Sequence, residues 1–395
     1  MPRRPARGLR TTALKCGWLA SALVLSGFFL SACTETPEPQ PIQPTTAMAP
    51  PPTTTAQPST PVPPAAPTLT TSTAPTESIA TTPAFQELRA TLELFSREKL
   101  EEGASAVLIK AKVGQQEWTL AEGVLSRERQ AVVQSGDRFP VGEQFRTFLA
   151  FSVMKLVEEG LLGLDDPVTA YLPGALTANS PVTIRQLLGD AADVPAAGLP
   201  AAALNADALL GRVVEQLRGA PLGAVLRTDV LTPLNLKSTD FLIANSTVPD
   251  DVIHGYVQLE GETVDVTGTG LPDGISNGGL VSTVQDILAF QAALLRGQLL
   301  SPASLIAMKG TVFADYGLGL DHWDDRCTNG FYYGHAGDIP GYGSIAISSA
   351  DGNRQLSIFM AYPPQPVSPK PSALALEMTG VAQVALNSGC RFQFR

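Results

Sequence analysis

The feature that most restricts this chain is the run at residues 139–173, FPVGEQFRTFLAFSVMKLVEEGLLGLDDPVTAYLP. Phe145, Phe148, Leu149, Val153, Leu156 and Val157 recur at spacings of three and four, which is one apolar stripe of an α-helix. Phe151 and Met154 lie off that stripe, so the helix is expected to be buried on most of its circumference. Gly160 supplies a stop, since glycine takes the left-handed conformation that ends helices. A helix of this kind needs a large protein around it. With 395 residues and 44% apolar side chains the chain can provide one.

Charge and composition divide the chain. Residues 1–32 carry Arg3, Arg4, Arg7, Arg10 and Lys15 and no acid, so the remainder is more acidic than the net −10. No basic surface is left for nucleic acid, and that partner class is excluded. The basic start, an apolar run and Leu30-Ser31-Ala32-Cys33 have the organisation of an export signal. Residues 33–84 hold 14 prolines and 15 threonines, with almost no large apolar side chain. Such a segment cannot bury enough surface to offset its ordering entropy and is expected to be a disordered linker. One domain is then expected over 85–395.

Within that domain, residues 85–102 show helical spacing. Residues 104–112 and 117–121, joined at Gly114, read as a β-hairpin. Residues 182–188, 206–218 and 372–386 read as helices, with Ser282 or Thr283 capping another. Residues 316–319 are read as the start of a strand, and 356–362 as a further strand. The pattern implies an α+β domain, an antiparallel sheet flanked by terminal helices, plus an all-helical region. Cys327 and Cys390 are expected to pair, because an exported chain meets an oxidising compartment.

Several segments, in order, resemble the serine β-lactamase and penicillin-binding protein family, in its class C and D-Ala-D-Ala carboxypeptidase branch. Residues 156–160 read LVEEG, 164–168 read LDDPV, and Tyr171-Leu172-Pro173 completes that block. Residues 182–188 read VTIRQLL, 278–283 read GGLVST before Asp286, and 333–344 read YGHAGDIPGYGS. The resemblance covers roughly 85–395 and implies a β-lactamase/transpeptidase-like fold with its site between sheet and helices. The N-terminus is likewise similar to a bacterial lipoprotein signal, which implies lipidation of Cys33 and attachment to the outer face of the cell membrane.

The resemblance also implies a Ser-x-x-Lys motif at the start of the central helix, with serine as nucleophile and lysine as its base. Counting back from LVEEG puts those roles on Glu143 and Arg146. Glutamate has no hydroxyl, and arginine stays protonated and cannot serve as a base. At i and i+3 the two are expected to form an ion pair. A literal Ser-x-x-Lys occurs at Ser152 and Lys155, but nine residues on is about 900° of rotation, the opposite face. Ser152 is read as a core hydroxyl bonded to its own helix.

The family's Tyr-x-Asn motif falls on Ala202-Ala203-Leu204, with Asn205 one residue out of register as a candidate survivor. His335-Ala336-Gly337 matches the family's His-x-Gly strand, and Gly337 is expected to let a ligand backbone approach. His254 and His322 have no metal or acid spacing and are assigned nothing. No cofactor and no metal are expected. The reading is a monomeric, lipid-anchored pseudoenzyme whose ligand candidates are His335, Gly337, Asn205, Glu143 and Arg146. Its partner is a cell-wall peptide or glycan, or an envelope protein. The alternative is an active serine hydrolase of the same family.

Overall fold

The computed structural model describes residues 81–177, 180–190, 205–242, 247–268, 279–368 and 372–390. The signal, Cys33 and nearly all of the linker lie outside them, as do Ala202 to Leu204. Among the described residues no helix is long and apolar enough to cross a membrane.

Eight helices are described: α1 (Pro83–Glu101), α2 (Phe145–Glu158), α3 (Ile184–Leu188), α4 (Ala206–Arg218), α5 (Leu222–Leu226), α6 (Val284–Leu295), α7 (Pro302–Lys309) and α8 (Ala373–Leu386). The strands are β1 (Ala106–Val113), β2 (Gln116–Gly123), β3 (Phe139–Pro140), β4 (Asp240–Phe241), β5 (Tyr256–Leu259), β6 (Glu262–Asp265), β7 (Leu280–Ser282), β8 (Asp321–Asp325), β9 (Gly330–Ile339), β10 (Tyr342–Ser349), β11 (Arg354–Ala361) and β12 (Gln365–Pro366). Six form the main sheet in the order β2-β1-β11-β10-β9-β8, and its pairings are all antiparallel. Residues 316–319, expected to open a strand, contribute only isolated bridges at Tyr316, and the strand begins at Asp321.

Both faces of the sheet are covered, and the period-two geometry of strands shows why. Along β1, Ala106 and Leu108 face the helical region, while Val107, Ile109 and Ala111 face the two end helices. On the second face α1 contributes Phe85, Leu88, Leu92 and Phe95, and α8 contributes Met378, Ala382 and Leu386. On the first face α2 packs against α6, with the Phe148 and Phe290 rings stacked at 3.8 Å. Truncating a fully buried leucine of the second face, such as Leu92→Ala, removes about 2–5 kcal/mol.

Local sequence accounts for the ends of these elements. Thr183 and Gln186 form a capping box at α3, and Thr283, Ser301 and Ser372 cap α6, α7 and α8. Gly160 has φ +70 and its N–H bonds the Val157 carbonyl, so α2 stops there. Ser152, 1% exposed, donates to the Phe148 carbonyl at 3.3 Å, as its place in the core requires. Cys327 and Cys390 are disulfide-bonded, with Cα atoms 4.9 Å apart. That bond ties the β8–β9 turn to the end of α8.

Candidate functional site

The site is a cleft of about 860 Å³, lined by the turn before α2, by β9 from His335 onward and by the start of α8. Its position follows from strand pairing. β8 pairs with β9 only from Gly330 to Gly334, which leaves the same edge of β9 from His335 to Ile339 without a strand partner among the described residues.

Glu143 sits in the 3₁₀ turn Gly142–Gln144 that leads into α2, and its side chain lines the cleft. Burial holds its carboxyl above the usual range, against the pull of the Arg146 charge. Among the described residues it has no ion pair and no hydrogen-bond donor. The expected Glu143–Arg146 pair is not formed. Arg146 lies one turn on, and its Nη1 is 3.1 Å from Asp190 while its Nε is 3.1 Å from Asp207. Asp207 projects from the first turn of α4 and its side chain is only 4% exposed, so it meets the guanidinium in a drier setting than Glu143 offers. Burial opposes the Arg146 charge, but Asp207, Tyr316 and Asp190 together hold it well above its ordinary value.

His335 is buried at 4% exposure. Its Nδ1 lies 2.6 Å from the Ala336 carbonyl oxygen, which can only accept, so the proton is on Nδ1. Nε2 is therefore the acceptor for the Tyr316 hydroxyl at 2.9 Å. Burial, helped by the Arg146 charge, pushes the imidazole pKa down and keeps it neutral. Burial likewise pushes the Tyr316 hydroxyl up, and raises Asp321 to about 6. Tyr316 and Asp321 both line the cleft. A tyrosine thus stands beside the site, from a segment for which the sequence suggested only a strand.

Two further expectations are corrected. Asn205 is not a cleft residue: it is the exposed N-cap of α4, and its Oδ1 accepts from the Ala208 N–H at 2.7 Å. Gly337 lines the cleft beside His335, and a Cβ there would also meet the Glu143 nitrogen, the Val141 oxygen and the Ser344 hydroxyl, each at 3.0 Å. The backbone that approaches the strand is the turn carrying Glu143. His254, to which no acid partner was assigned, lies 2.6 Å from Asp265, with Glu128 nearby and held by the Tyr256 hydroxyl. None of these three lines the cleft. His335, Gly337, Glu143 and Arg146 all line the cleft, as do Asp190, Tyr316 and Asp321, while Asp207 reaches it only through Arg146.

Chemically the arrangement holds one clamped guanidinium, one neutral imidazole already accepting a hydrogen bond, and carboxyls displaced upward. Among the described residues no lysine or cysteine lines it. Ser368, Ser372 and Thr379 do; Ser372 caps α8 and bonds Asp338, and Thr379 bonds the Ala375 carbonyl.

Known proteins share this architecture. A D-stereospecific amidohydrolase from a Streptomyces species is 25% identical, with a TM-score of 0.59, over 69% of this chain and 94% of that one. The D-amino acid amidase of Ochrobactrum anthropi SV3 superposes with a TM-score of 0.62 at 19% identity, over 76% and 98% of the two chains. The octameric penicillin-binding protein homologue of Pyrococcus abyssi gives 0.63 at 20% identity, over 76% of each. Residues 92–373 match the family described as Beta-lactamase, which is most of the domain and carries both the Glu143 turn and the His335 strand. The chain belongs to the beta-lactamase family.

Proposed function

We propose that this member of the family binds its ligand without forming an acyl-enzyme, and that it does so as an envelope protein tethered through Cys33. The observation that carries the reading is the pair of aspartates on Arg146. A serine or threonine nucleophile needs an adjacent neutral base. The position where the family's base falls holds a guanidinium fixed between two carboxylates, and the nucleophile's position holds Glu143. The edge of β9 that lacks a strand partner favours an extended ligand beyond Ala336, whose own carbonyl and N–H are already taken by His335 and Asp321. The ligand is then a cell-wall peptide, and the Pro/Thr-rich linker gives the domain reach. Its prolines extend at roughly 3 Å per residue, on the order of 150 Å in all.

One observation favours an active hydrolase instead: the Tyr316–His335 hydrogen bond places a proton-transfer pair beside Glu143. Labelling with a fluorescent penicillin and a fluorophosphonate decides between the two. The binding reading expects no covalent adduct with either reagent and saturable binding of purified muropeptides. A stoichiometric adduct on the unmodified protein overturns it.

A further inference from the structure

The balance of charge in the cleft narrows the ligand. Glu143, Asp190, Asp321 and Asp338 line it, against one guanidinium. Arg146 is not available to a ligand, because Asp190 and Asp207 already take its charge. Asp338 accepts from the Ser372 backbone and hydroxyl, a neutral partner that leaves its charge in place. Glu143 keeps its carboxylate uncommitted among the described residues. His335 adds no positive charge, since Nδ1–H is spent on the Ala336 carbonyl and Nε2 accepts from Tyr316. The walls are therefore acceptor-rich and net negative, beside the part of the β9 edge that has no strand partner among the described residues. The cavity and that edge point to a ligand, and the carboxylates say which sign it carries.

We infer that the cleft selects a peptide bearing an unblocked ammonium group, seated near Glu143 and Asp321, and rejects ligands whose reacting end is a carboxylate. This rests on the reading that the cleft binds peptides. It sets the protein apart from any acyl acceptor of penicillins, which carry a carboxylate, and from a carboxypeptidase, whose substrate ends in one. An ammonium here gains from Coulomb attraction in a partly desolvated site and from charge-assisted hydrogen bonds to carboxylate oxygens. A carboxylate meets like charge and a guanidinium already paired with two carboxylates.

The test is a charge series measured by calorimetry on the unmodified domain. D-Ala-D-Ala-amide carries an α-ammonium and Nα-acetyl-L-Lys-D-Ala-amide a side-chain ammonium. N-acetyl-D-Ala-D-Ala-amide is neutral, and N-acetyl-D-Ala-D-Ala is an anion. At least one ammonium peptide is expected to bind about tenfold more tightly than the neutral one, the anion weakest of all, with the preference shrinking in high salt. Whichever ammonium peptide wins identifies the source of the group. In Glu143→Gln, and independently in Asp321→Asn, the ammonium-to-neutral ratio is expected to fall at least threefold. Equal affinity across the series overturns the charge selection and leaves peptide binding standing. Anion binding as tight as ammonium binding also overturns it. Absence of binding by all four overturns both.

Discussion

Arg146 and Asp207 are 61 positions apart and lie 3.1 Å apart between the guanidinium Nε and the carboxylate. The pair joins the first turn of α2 to the first turn of α4 across the floor of the cleft. Breaking a buried pair strands a charge, so Asp207→Ala is expected to cost about 3 kcal/mol. Asp190→Ala, whose side chain is 59% exposed, should cost less than about 1 kcal/mol. Urea denaturation of both variants checks the contrast, and equal losses would show that the two contacts do not differ as described.

Installing the missing nucleophile and base should not restore acylation. In Glu143→Ser with Arg146→Lys, the new ammonium would sit between Asp190 and Asp207, which favour its charged form, whereas a base must be neutral. Mass spectrometry after incubation with a penicillin is expected to show no adduct. Adding Asp207→Asn relaxes that hold and should give more labelling than the double variant. Stoichiometric labelling of the double variant would contradict the account of the clamp.

Asp321 sets a pH dependence whose sign is fixed by its shift. Its carboxyl is raised to about 6 from 3.8 by burial, so the folded state binds the extra proton between those values. Stability from this group is present below about 4 and is lost as pH rises through about 6. The lowered His335 runs the other way, so the wild-type curve alone is not diagnostic. Relative to wild type, Asp321→Asn should gain on the order of 2 kcal/mol between pH 4 and pH 7. A carboxyl titration near 4 by infrared difference spectroscopy would rule the shift out.

The disulfide closes a loop of 63 residues. On chain entropy, removing it in Cys327→Ser with Cys390→Ser should cost about 4 kcal/mol. Denaturant midpoints with and without reductant check this, and reductant should not move the midpoint of the double variant.

Attachment is tested separately. Cys33→Ser is expected to leave the protein unprocessed or to release it from membranes. Unchanged mass and membrane fractionation would count against lipidation.

Much of the fold could be read from local signals. The stripe of α2, the hairpin around Gly114, the caps at Thr183 and Thr283 and the His335 strand are all decided within about twenty residues of chain. The cleft was legible only in part, because its partners come from distant segments. Asp207 did leave a trace. It shares the buried face of α4 with Leu210 and Val214, and an acid on an apolar stripe demands a cationic partner. Asn205 also fits a simpler pattern, an N-cap before a run of helix formers, than the motif with which it was aligned. Nothing near Tyr316 in sequence indicates that it meets His335, or near Asp321 that it lines the same cleft, since folding alone brings them together.

The two end helices, α1 and α8, close one face of the sheet together, and Lys99 of the first pairs with Glu377 of the second at 2.8 Å. β1 needs β11, more than 240 residues later, as its partner. Pairing over such separations is slow, because the intervening chain must be closed before any contact rewards it. A ribosome delivering this domain from its N-terminus therefore releases α1 and the β1–β2 hairpin long before β11 and α8 exist. Nascent chains stopped before about residue 386 should remain open to protease along their whole length. Maturation of the domain then waits on its last helix, and any escort that keeps the early strands from pairing wrongly has to stay until synthesis is complete.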